Sequence, residues 1–163
     1  MPSGRIHTLI NGAATAGAAA VAWLMGLPLT SPEALALISG AFCGTVLITP
    51  DLDMAHVRVD ARRAWGPLGW VWWPLLSISK HRGVSHTWVR GPLIRLTYIV
   101  VVLGLMLLLV KALWEAAGWP WPPLRVPEDL RRPAVLAAAG FGYWAAQALH
   151  LAADRIPLTW RRL

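Results

Sequence analysis

A chain of 163 residues that is 56% hydrophobic and only 14% charged is too apolar for a soluble domain of its size; such a domain carries roughly a quarter charged residues and leaves much of its surface wet. The formal charge of +7 would suit nucleic acid, but the basic residues flank apolar stretches and do not interleave with stacking aromatics. Membrane lipid is therefore the expected partner, nucleic acid is not expected, and the single cysteine, Cys43, excludes a disulfide framework or a cysteine-type zinc site.

Four stretches approach the roughly 20 apolar residues that cross a bilayer as a helix. The first, about 8–29, has no charge between Arg5 and Glu33. Its small residues (Gly12, Ala13, Ala16, Gly17, Ala20) suit close helix packing, and it is long for the core of a cleavable signal. The second, about 32–49, opens with Ser31 as N-cap, Pro32 at the first position and Glu33 in the first turn, and Pro50 ends it. Residues 50–92 form a long loop containing Trp70-Val71-Trp72-Trp73, which reads as an interfacial helix whose tryptophans belong to a membrane-boundary belt. The third stretch, about 93–113, is the most apolar, with Arg95 and Lys111 placed to snorkel toward headgroups. A Pro-rich loop at 119–127 precedes the fourth stretch, about 133–154, again rich in Ala and Gly. The expected fold is all-α, a single membrane domain over 1–163: a four-helix integral membrane bundle with a long cytoplasmic loop that contains an interfacial helix.

Four crossings put the amino terminus, the long loop and the carboxy terminus on one side. That side holds eleven of the fifteen Lys and Arg residues, the others being Lys111, Arg125, Arg131 and Arg132, so the positive-inside rule makes it cytoplasmic. The same topology brings every histidine to that side: His7, His56, His81, His86 and His150, together with Asp51, Asp53 and Asp154. Ionisable groups at membrane depth are costly and mark functional sites. His150 and Asp154, four residues apart, lie one turn apart on one helix face. Asp51, Asp53 and Asp154 sit at helix carboxy ends, where the macrodipole opposes a carboxylate by up to about 1 kcal/mol. They need a compensating cation, either a metal or arginines such as Arg58 and Arg62. His81 and His86 are about 140° apart on a helix and can aim at one point only if Gly83 allows a turn. Arg82 between them offers a bidentate donor for phosphate or carboxylate. His56 reads as an interfacial anchor, while His81, His86, His150 and Asp154 read as one shared site.

Met1-Pro2-Ser3-Gly4-Arg5-Ile6-His7, Pro50-Asp51-Leu52-Asp53, Arg63-Ala64-Trp65-Gly66-Pro67-Leu68, His81-Arg82-Gly83-Val84-Ser85-His86 and His150 with Asp154 resemble, in this order, a bacterial family of uncharacterised metal-binding membrane proteins. More distantly they resemble inner-membrane-associated metal-dependent hydrolases, which share the Pro-Asp-x-Asp and His-Arg-Gly-x-Ser/Thr-His motifs. The resemblance implies metal binding and a hydrolase activity; with the positive-inside topology, the expected location is the bacterial inner membrane with both termini cytoplasmic. Carried over by position, the metal ligands are His7, Asp51, Asp53, His81, His86, His150 and Asp154; Thr8 departs from the acid that often follows the first histidine.

An imidazole and carboxylate set without thiolate suits a divalent ion, Zn²⁺ first and Mn²⁺ or Fe²⁺ as alternatives. The leading expectation is hydrolysis of a phosphoester in a lipid or lipid-linked substrate, with Asp53 as the base and Arg82 steadying the developing charge. The alternative is a non-catalytic membrane protein whose metal clips the loop to the helices, which predicts a closed coordination sphere with no pocket leading to it. A transporter would need polar residues through the bundle, and the mid-helix positions offer only Thr15, Ser39, Thr45 and Gln147.

Overall fold

Ser3, in extended conformation, precedes helix α1 (Gly4–Leu24), which starts four residues earlier than the apolar stretch suggests. His7 is thus inside the first helix and not ahead of it. The computed structural model describes residues 3–53, 59–78 and 83–159, without the side chains of Asp53 and Ser85. α1 also stops short of residue 29, because Gly26 adopts φ +77° just past its end, a left-handed stop that glycine takes without a Cβ penalty.

Ser31 starts α2 (Pro32–Phe42) by accepting the Ala34 amide at 3.2 Å. The helix runs into a π turn, Cys43–Leu47, before a short 3-10 helix, Pro50–Asp53. Residues 59–78 fold into α3 (Asp60–Ala64), a 3-10 segment (Gly66–Trp72) and α4 (Trp73–Ile78). A 3-10 turn, Val84–His86, leads into α5 (Arg90–Ala116), and α6 (Pro133–Ala153) follows a final 3-10 turn, Glu128–Arg131. The described residues contain six α-helices and no strand, so the fold is all-helical.

α2 and α6 are the closest pair, meeting backbone to backbone at Gly40 and Gly142, and the π turn that follows α2 continues the contact at Gly44. α1 is tied to α6 by Asn11, whose Nδ2 donates to Ala146 O at 3.2 Å. α5 joins the others through residues up to Met106, with Arg95 and Ile99 buried; from Leu107 to Ala116 it stands almost wholly exposed. Two segments, 32–52 and 90–116, combine the length and hydropathy needed to cross a membrane. α1 and α6 match the length, at 21 residues each, but their Gly, Ala and polar content dilutes the hydropathy. The four-membered bundle expected from the apolar stretches is, in the structure, three packed helices with α5 leaning on them.

Two side chains face opposite to expectation. Trp72, in the supposed belt, is fully buried among Ile48, Leu52, Val71 and Ile99, while its neighbours Trp70 and Trp73 are exposed. A helical turn cannot point adjacent side chains the same way, so a tryptophan run splits between core and surface. Arg95 does not reach for headgroups. It is 2% exposed and donates from its guanidinium to Gln147 Oε1 at 2.7 Å.

Candidate metal centre

Four chain segments deliver one donor cluster, and each is pinned by identifiable bonds. α6 presents His150 and Asp154 one turn apart, with Asp154 as its C-cap residue. α1 brings His7 alongside, one turn from the anchoring Asn11. Asp51 follows the π turn, whose free carbonyls are caught by side chains: Leu47 O accepts from Trp65 Nε1 at 2.9 Å, and Gln147 Nε2 donates to Gly44 O within the turn and to Ile48 O just past it. His86 ends a 3-10 turn that Thr87 fastens to α5, donating to Val84 O at 2.8 Å and accepting from the Gly91 amide at 2.7 Å. α6 holds the same segment through Tyr143, which donates to Pro92 O at 2.9 Å, and Trp144, which donates to Trp88 O at 2.8 Å.

Asp51, His86, His150 and Asp154 each place a ligand atom within 4.8 Å of the others. His150 Nε2 stands 3.4 Å from Asp51 Oδ1 and 3.6 Å from Asp154 Oδ2; His7 Nε2 stands 3.2 Å from Asp154 Oδ1. The His7 and His150 rings stack, with centroids 3.7 Å apart and planes at 12°. Asp154 has 0% side-chain exposure. His150 Nε2 and both Asp154 oxygens are buried and make no hydrogen bond, close as they are.

A hydrogen-bonded network would turn donor protons onto acceptor lone pairs. Here lone-pair atoms of opposite groups converge on a shared space without that geometry, as ligands around an ion do. Charge points the same way. Two carboxylates with neutral imidazoles leave about two negative charges, at the ends of two helices whose dipoles are also negative there, and a divalent cation balances both. The four-donor set fits one ion, and His7 supplies a fifth donor, a third imidazole nitrogen, beside it.

His81, Arg82 and His56 lie outside the described residues, as does the side chain of Asp53, whose backbone closes the 3-10 turn carrying Asp51. Inspection of motifs alone passes over Asp60, which shares with His7, Thr8, Thr45, Thr49, Asp51 and His150 a cavity of about 170 Å³. Its one signal is an acid in the first turn of α3. Asn11 was equally silent in the sequence, a single amide four residues after His7.

These features define a helical protein with a candidate metal site of mixed imidazole and carboxylate donors. The chain belongs to the family described as "Uncharacterized metal-binding protein", whose model matches residues 2–163. An "Uncharacterized protein" of Aquifex aeolicus (strain VF5) is 37% identical over 60 residues, 37% of this chain and 41% of that protein, so the match spans less than half of the relative's length. No solved structure matches the chain.

Proposed function

We propose that this protein is a metal-dependent hydrolase of the bacterial cytoplasmic membrane, acting on a phosphoester of a lipid or lipid-linked substrate at the cytoplasmic face. The observation that carries the reading is the cavity of about 170 Å³ against the donor cluster, lined by His7, Asp51 and His150. A structural clip has no use for an opening at its ion, whereas a hydrolase needs room for water and a headgroup. At about 30 Å³ per water, the space takes a few waters or one small anionic group.

Asp51, His86, His150 and Asp154 would hold the ion, with Zn²⁺, Mn²⁺ and Fe²⁺ all compatible with these donors. When bound, such an ion acidifies water and polarises a phosphoryl oxygen. The chain's own part is positioning and proton transfer. Asp53 is assigned as the acceptor of the water proton and Arg82 as the donor to the phosphoryl oxygens, while Asp60 offers a second carboxylate on the cavity wall. Membrane insertion is supported by the two segments long and apolar enough to cross and by the exposed apolar faces of α5 (Leu105, Leu108, Leu109), α1 (Val21, Leu24) and α6 (Leu136, Phe141); four crossings are part of the proposal.

The test is turnover by the purified protein in lipid nanodiscs, loaded in turn with each metal, on phosphatidate, a prenyl phosphate and a water-soluble aryl phosphate. Phosphate release that chelator abolishes, and that the lipid substrates give faster than the aryl one, is the expected result. Stoichiometric metal with no release from any of them overturns hydrolysis and leaves the clip.

A further inference from the structure

α2 changes winding shortly before it delivers Asp51, and the change leaves bonds to be accounted for. In a continuing α-helix, Gly44 O would accept from the Ile48 amide. The Ile48 amide instead donates to Cys43 O at 2.9 Å, the wider π spacing, and Gly44 O loses its partner. Pro50, without an amide proton, cannot continue the ladder either. Buried carbonyls left without donors are destabilising, because their desolvation goes uncompensated.

Gln147 resolves this. Its Nε2 donates to Gly44 O at 3.0 Å and also to Ile48 O, bridging the start and the exit of the π turn. Its Oε1 accepts from Arg95 at 2.7 Å. The amide is 0% exposed, so its orientation is set by its partners: an oxygen must face the guanidinium and the nitrogen must face the carbonyls. Three residues further along α6 comes His150, on the same helix face, and three residues beyond Ile48 comes Asp51. One side chain therefore grips both strands of the chain that meet at the cluster.

We propose that Gln147 and Arg95 are positioning residues of the metal centre. Arg95 fixes which way the Gln147 amide faces, Gln147 holds the π turn, and the π turn sets the Asp51 carboxylate against His150. The inference rests on metal binding by the cluster and is independent of hydrolysis. It gives a function to a buried guanidinium that the apolar character of α5 does not explain, and π turns recur where a ligand must be re-aimed.

The experiment compares wild type with Gln147→Glu, Gln147→Met and Arg95→Lys, and with Gly12→Ala on α1 as a control. Two readouts are taken: Co²⁺ absorption with competitive Zn²⁺ affinity, and the melting temperature in chelator. Gln147→Glu keeps the contact with Arg95 but turns an acceptor toward the two carbonyls, and Gln147→Met keeps the volume and offers neither. Both are expected to lose at least about tenfold in affinity and to shift the Co²⁺ spectrum, the range seen when a supporting shell is removed. Arg95→Lys retains the charge without the fork, and is expected to lose less. Gly12→Ala, where an added Cβ meets nothing, should match wild type in spectrum and affinity and melt no lower. A lowered melting temperature with unchanged spectrum and affinity would make Gln147 a helix fastener only and overturn the proposal. Wild-type protein that takes up no Co²⁺ or Zn²⁺ overturns it together with the site. Should neither Gln147 variant fold, Arg95→Lys decides by the same two readouts.

Discussion

Asp154→Asn is expected to weaken metal binding by at least about a hundredfold, and at the same time to leave the metal-free protein as stable as wild type or more so. The first half follows from removing a charged ligand, since loss of outer supporting groups alone costs about 10–100-fold. The second half follows from burial. Asp154 has no exposed side-chain surface, and neither of its oxygens makes a hydrogen bond. In the absence of an ion it is a desolvated carboxylate, and replacing it with an amide of the same shape removes that cost.

Melting curves with chelator and with excess Zn²⁺ measure both halves. Metal at a hundred times its dissociation constant should raise the wild-type melting temperature by ~5–10 °C and leave the variant unmoved. The opposing account makes Asp154 the ion-pair partner of protonated His7 and His150, at 3.2 and 3.6 Å. On that account Asp154→Asn strands two buried imidazolium charges and lowers stability by about 3–5 kcal/mol whether or not metal is present. The sign of the change in chelator decides between them.

The starts of α2 and α6 were legible because their chemistry is local. Ser31-Pro32-Glu33 and Pro133 are start signals, and α2 and α6 begin there. The far end of α1 was misread because hydropathy continues through Leu27 while the backbone stops at Gly26. The donor cluster was visible for a different reason. His150 and Asp154 carry their own spacing, and Asp51 marks a helix end that the dipole makes hostile to acid.

What no pattern announced is the π turn, which has no compositional signature, or the use of Gln147 and Arg95 inside it. A lone Gln among alanines looks like a tolerated polar residue. An Arg near the start of an apolar helix looks like a headgroup anchor, because snorkelling is the usual way to relieve its charge. Only the position of α6 reveals that Arg95 has an internal partner. Trp72 makes the same point: the sequence shows a tryptophan near an apolar boundary, and packing alone shows which face it takes.

The second large effect is expected at the α2–α6 contact, where the sign of a glycine substitution should depend on what lies opposite. A Cβ on Gly142 would stand 2.1 Å from Leu37 O, and one on Gly40 2.0 Å from Ala139 O. Both obstacles are main-chain carbonyls that cannot rotate aside, so the helices must separate. Gly142→Ala and Gly40→Ala are each expected to destabilise by about 3 kcal/mol, the upper end for overpacking, although alanine is the better helix former. Gly140→Ala, two residues away with nothing within 4 Å of its Cβ, should show only the helix preference and gain about 0.5–1 kcal/mol. Because Asp51 follows α2 and His150 lies on α6, parting these helices also opens the cluster, so Zn²⁺ affinity should fall in Gly142→Ala and hold in Gly140→Ala. Unfolding in mixed micelles and Zn²⁺ competition on the same preparations test the pair. If Gly142→Ala equals Gly140→Ala in both, the two helices do not meet through their glycines, and the placement of Asp51 beside His150 loses its physical cause.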